Sequence, residues 1–135
     1  MRITTTLGTA VVLLLAISLS GYAADMALMP SGVTVAKTAL GPVLVDSKGM
    51  TLYTFDKDAT PGKSACNGPC AQNWPPLAAA ADTKPMANWT VITRDDGSKQ
   101  WAYKGKPRYT FAKDKKPGET TGNGFLNNAW HAAKP

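Results

Sequence analysis

Tyr53-Thr54-Phe55-Asp56-Lys57-Asp58 returns 56 positions later as Tyr109-Thr110-Phe111-Ala112-Lys113-Asp114. The correspondence runs outward without a gap and carries residues 33–74 onto 89–130: Pro61-Gly62 meets Pro117-Gly118, Asn67-Gly68 meets Asn123-Gly124, and Trp74 meets Trp130. A unit this short can hardly bury an apolar face alone. Two copies are therefore expected to pack on each other as one pseudo-two-fold domain over 33–135.

Outside the motif the period is that of strands. Segments 33–37, 43–46 and 50–55 are short, rich in β-branched or aromatic residues, and separated by Leu40-Gly41-Pro42 and Ser47-Lys48-Gly49. The second copy offers 89–94, 99–103 and 107–111, separated by Asp95-Asp96-Gly97 and Lys104-Gly105-Lys106. The pattern predicts an all-β fold of two tandem three-stranded antiparallel meanders. Alternate side chains of a strand point to opposite faces, and Tyr53 and Phe55 keep their identity as Tyr109 and Phe111, so their face is the expected shared core. On the other face Met50 and Leu52 become Lys106 and Arg108, which are expected to be solvated. That leaves Met50 and Leu52 either covered by the lead-in or the connector, or open to a partner. The connector 75–88 has prolines at both ends and would pack through Leu77 and Met86.

At the N-terminus, Arg2 precedes the uncharged run Val11-Val12-Leu13-Leu14-Leu15-Ala16-Ile17 and then small residues up to Ala23. This reads as a signal peptide over 1–23, cleaved near Ala23, with residues 24–32 as a flexible lead-in. The apolar run is too short for a transmembrane span in the mature form, which is expected to be periplasmic or secreted. The formal net charge is +6, but the lysines are scattered and no basic-aromatic stripe is present, which argues against nucleic acid as a partner.

Cys66 and Cys70 lie four apart around Asn67-Gly68-Pro69 in a chain bound for an oxidising compartment, so a local disulfide is expected. The spacing matches neither a thioredoxin-like pair nor covalent haem attachment. Asp58 and Asp114 each follow a strand, with two residues between them and Pro-Gly, where an Asp side chain accepts backbone N–H bonds and sets a turn. Three chemical readings stand beside this structural one. Asp58 and Asp114 could act as paired carboxylates of a hydrolase. Asp56, Asp58 and Asn67 could hold calcium, although their spacing fits no established loop. His131 with Met26 or Met29 could ligate copper.

Taken together, the Tyr-x-aromatic-x-x-Asp motif, the Cys-x-Gly-x-Cys loop, Trp74-Pro75-Pro76 and Trp130-His131 resemble the bacterial secreted-repeat and predicted-lipoprotein family defined by that motif. The resemblance spans nearly the whole mature chain and implies no particular activity. A lipobox cysteine is lacking. The expectation is an extracytoplasmic, non-enzymatic binding or structural module without a cofactor, associated with an envelope component or another secreted protein. The alternative is a periplasmic redox or copper-handling accessory protein.

Overall fold

A computed structural model describes residues 29–135. The leader expected over 1–23 and the candidate ligand Met26 lie outside them. Seven short strands and two single-turn helices follow one another: β1 (Thr34–Thr38), β2 (Gly41–Val45), β3 (Tyr53–Phe55), α1 (Pro69–Asn73), β4 (Trp89–Thr93), β5 (Lys99–Tyr103), β6 (Lys106–Pro107), α2 (Phe125–Asn128) and β7 (Trp130–Ala132). They form small antiparallel sheets, β1-β2, β3-β7 and β4-β5-β6.

The third strand of each expected meander divides its pairing. Its first half stays with its own copy, since Leu52 N–H donates to Leu44 O at 2.9 Å and Arg108 N–H to Trp101 O at 3.0 Å. Its second half crosses to the other copy. Tyr53 and Tyr109 exchange backbone hydrogen bonds of 2.7 and 3.1 Å across the pseudo-two-fold axis, β3 pairs with β7, and Thr110 N–H donates to Pro75 O at 2.8 Å. The end of each copy is thus stitched to the tyrosine strand of its twin.

The gap-free offset does not hold in the central strands. Thr34 faces Val45, yet its counterpart Thr90 faces Ala102 rather than Trp101. Leu44 N–H bonds Ala133 O and Trp101 N–H bonds Leu77 O, so β5 matches β2 at one residue beyond the repeat spacing. The extra residue sits in the turn after β2 in the first copy (Asp46 N–H to Met50 O, 2.9 Å) and in the turn after β4 in the second (Arg94 N–H to Ser98 O, 2.8 Å). A one-residue slip reverses the face of every side chain in a strand. Here it spares Lys99 the fully buried place that Val43 holds and gives that place to Gln100, which can be hydrogen-bonded there.

The core has two parts. The first straddles the axis as a stack of four rings in the order Phe55, Trp130, Trp74, Phe111. Its centroid spacings are 4.1, 3.7 and 4.1 Å, and the two indoles lie within 2° of parallel. Tyr53 and Tyr109 meet the indoles edge-on at 5.3 and 5.1 Å. Each such contact adds about 0.5–1.5 kcal/mol to what burial alone gives. The second part gathers Val33, Leu44, Leu52, Trp89, Trp101, Tyr103 and Ala133, with Met29, Leu77 and Met86 packed against it.

That second cluster decides between the two readings of Leu52 and corrects the one for Arg108. Leu52 is 0% exposed and Met50 half-buried, the cover including Met29 of the lead-in and Leu77 of the connector, so Leu52 is no partner surface in this fold. Arg108, expected in solvent, is only 5% exposed, because the first half of its strand stays in the meander with its side chain turned inward; Lys106 is exposed.

Candidate functional site

The motif side chains meet across the axis. Tyr53 donates its phenolic proton to Asp114 Oδ2 at 2.6 Å, and Tyr109 donates to Asp58 Oδ2 at 2.7 Å. Each tyrosine therefore serves the aspartate of the opposite repeat. The other oxygen of each carboxylate sets its own loop: Asp58 Oδ1 accepts from Ala65 N–H at 2.6 Å, and Asp114 Oδ1 accepts from Thr121 N–H at 3.1 Å and from the Thr121 hydroxyl. Ala65 and Thr121 are repeat equivalents, so the two loops are built alike.

Burial raises the pKa of both phenols well above the ordinary 10.0, with the hydrogen bond to a carboxylate acting in the same direction. Burial also raises Asp58 above the usual carboxylate value, against the lowering effect of the Ala65 and Tyr109 hydrogen bonds and the field of Arg94.

The surroundings differ between the copies. Beside Tyr109 a buried polar chain runs through Ser64 (2.6 Å from the Tyr109 hydroxyl) to Arg94. The Arg94 Nη1 donates to Ser64 Oγ at 2.9 Å and to Gln100 Oε1 at 2.6 Å, and Nη2 donates to Cys66 O. Gln100 Nε2 in turn donates to Arg108 O at 2.7 Å. Beside Tyr53 the position of Cys66 is taken by Gly122, whose N–H donates to the Tyr53 hydroxyl at 3.2 Å. A Cβ on Gly122 would meet the Trp74 ring at 2.7 Å, so the stack leaves room for glycine alone. Sequence reasoning missed Arg94, Gln100 and Arg108. The sequence pattern ends a strand at Arg94 and starts a turn at Asp95-Asp96-Gly97, and nothing in it shows that the arginine side chain turns inward to Ser64, Cys66 and Gln100.

Cys66 and Cys70 form a disulfide that closes the segment leading into α1, with Cys66 buried. His131 Nε2 lies 2.9 Å from Asp56 Oδ2 on the exposed side of the β3-β7 pair. Asn67 instead contacts Asp95 at 3.2 Å, so Asp56, Asp58 and Asn67 are engaged with three different partners and are not gathered for a cation. Met29 packs on the second cluster, and His131 lies on the β3-β7 pair with Asp56 as its partner. Among the described residues no group of three or more His, Cys, Asp or Glu is placed to hold a metal ion, and no hydrogen bond joins Asp58 to Asp114. A shallow recess of about 180 Å³ beside Asp58 is lined by Lys57, Thr60, Lys63 and Ser64.

Two tandem units, a duplicated Tyr–Asp loop and a paired tryptophan closure are the geometry against which relatives can be judged. The profile of a family described as a secreted repeat of unknown function matches the chain twice, over residues 34–78 and 90–134. The chain belongs to this secreted-repeat family. Each match runs past the tryptophan into the segment that pairs with the twin copy, so the secreted repeat as a sequence unit includes its stitch. No curated protein and no solved structure gives a significant match. Among the described residues no helix is long and apolar enough to cross a membrane.

Proposed function

We propose that this secreted-repeat chain works outside the cytoplasm, after cleavage near Ala23, as a non-catalytic module of the cell envelope with a binding or structural role. The supporting observation is that the motif is turned inward. All four carboxylate oxygens of Asp58 and Asp114 already accept hydrogen bonds, two of them from the buried tyrosines of the opposite repeat. Each carboxylate sets its own loop with one oxygen and holds the opposite tyrosine with the other, which supports a structural role for the motif aspartates over that of a general base. The motif holds the two halves together, and contact with other molecules falls to surfaces where the halves differ. The redox alternative needs the Cys66–Cys70 bridge opened, and the copper alternative needs further ligands beside His131, whose contact among the described residues is with Asp56 through Nε2.

The full chain, expressed in a bacterial host and followed through cell fractionation, should remain with the envelope through a low-salt wash. Quantitative release with the soluble extracytoplasmic proteins under that wash would overturn the envelope assignment.

A further inference from the structure

The copies differ most in the turn before the closing tryptophan. In the first, Pro69–Asn73 is a right-handed turn of helix tied by the disulfide. In the second, Leu126, Asn127 and Asn128 take positive φ of 56, 55 and 63° in succession. Left-handed backbone is costly for residues with a Cβ, more for Leu126 than for the two asparagines, and such conformations collect at functional sites. The first copy closes on its tryptophan without one, so the fold itself does not demand it.

This turn presents Phe125 and Leu126, 43% and 54% exposed, side by side. One lysine stands beside them, the Lys113 ammonium lying 5.8 Å from the Phe125 ring centre; Lys115, whose ammonium bonds Ala112 O at 3.1 Å, and Lys116 follow on the same loop, both exposed. The acidic groups of the same region are otherwise engaged or withdrawn. Asp114 is buried against Tyr53 and Thr121, Asp56 pairs with His131, and Glu119 is half-buried.

We propose that the Phe125–Leu126 knuckle, with Lys113 beside it and the exposed Lys115 and Lys116 next along the same loop, is a docking tip for an anionic lipid bilayer. This rests on the envelope assignment and names the component contacted. Two apolar side chains on an exposed turn make too small a patch for a specific protein interface, which needs on the order of 1,000 Å². Apolar side chains entering the headgroup region beneath a collar of lysines are the usual composition of an interfacial membrane contact.

The test is co-sedimentation of the full chain with vesicles of equal parts phosphatidylglycerol and phosphatidylcholine, and with phosphatidylcholine alone, at low ionic strength. Binding should require the anionic lipid. Lys113→Glu/Lys115→Glu should weaken it about tenfold or more, while Lys57→Glu/Lys63→Glu, the same change of net charge on the first copy's loop, should weaken it far less. Leu126→Asn should also weaken it; asparagine tolerates the left-handed backbone, and Phe125, which packs on Trp74 and Phe111 at 5.8 and 5.4 Å, is left in place, so this variant should keep its thermal midpoint. No binding to anionic vesicles, equal binding to phosphatidylcholine, or equal loss from the two lysine pairs would each overturn the tip. Envelope retention in cells without vesicle binding would remove the tip and leave the broader assignment standing, whereas release in cells would remove both.

Discussion

Replacing Trp130 with alanine should destabilise the domain by about 3–5 kcal/mol, most of what a chain of this size has to lose. Trp130 is one of the two inner members of the four-ring stack: it lies flat on Trp74 at 3.7 Å and on Phe55 at 4.1 Å, and meets Tyr109 edge-on at 5.1 Å. It is also the first residue of β7, the strand that clips the second copy's end onto β3. Truncation therefore opens a cavity shared by both repeats and loosens the stitch between them. Urea unfolding followed by circular dichroism measures this directly. Because Trp74 and Trp130 face each other, the Trp74→Ala/Trp130→Ala double variant should lose less than the sum of the single losses. A loss below about 1 kcal/mol for Trp130→Ala would mean that the stack does not carry the core.

Arg108→Leu should act in the opposite direction and stabilise the protein by about 1–3 kcal/mol. The guanidinium is almost fully buried with no carboxylate beside it. Nη1 reaches Lys106 O at 3.2 Å, the group lies 5.4 Å from the Tyr103 ring centre, and Nε has no partner. Burial lowers its pKa to about 10, which is the signature of a charge held where solvation is poor. A base whose folded pKa is depressed opposes folding throughout the range in which it is charged, and that opposition fades only as pH rises from about 10 towards its ordinary 12.5. The first repeat has Leu52 at this position, fully buried in the second cluster, so the fold accommodates leucine there. The substitution forfeits a cation–π contact of about 0.5–2 kcal/mol and one hydrogen bond, and removes the larger cost of desolvating an unpaired charge. Denaturant midpoints at neutral pH for the parent and the variant decide the sign. A destabilised Arg108→Leu would assign the arginine a role that packing does not explain.

The duplication, the strand period and the buried Tyr53/Phe55 and Tyr109/Phe111 face could be read from the chain because those residues recur at one spacing and alternate as strands do. The disulfide was legible from two cysteines in a Gly-Pro turn of a secreted chain. The slip of β5 was not, since an extra residue in one turn is cancelled by a missing residue in the next and the alignment stays gap-free. Everything that depends on the parity of that strand was hidden with it, namely the burial of Gln100 and the polar chain through Arg94. The crossing of the third strands was equally silent, because pairing partners leave no mark on the strand itself. Whether Leu52 was covered or open to a partner stayed undecided in the sequence, because its cover from Met29, Leu77 and Ala133 comes from segments with little periodic signal of their own.

The exchange of tyrosine–aspartate bonds between repeats is tested most directly by double-mutant cycles with Tyr→Phe and Asp→Asn in all four pairings. Tyr53 with Asp114, and Tyr109 with Asp58, should each show a coupling of about 1–2 kcal/mol, while Tyr53 with Asp58 and Tyr109 with Asp114 should be additive within error. Coupling confined to the pairs within a repeat would contradict the exchanged arrangement and, with it, the assignment of the motif to holding the halves together.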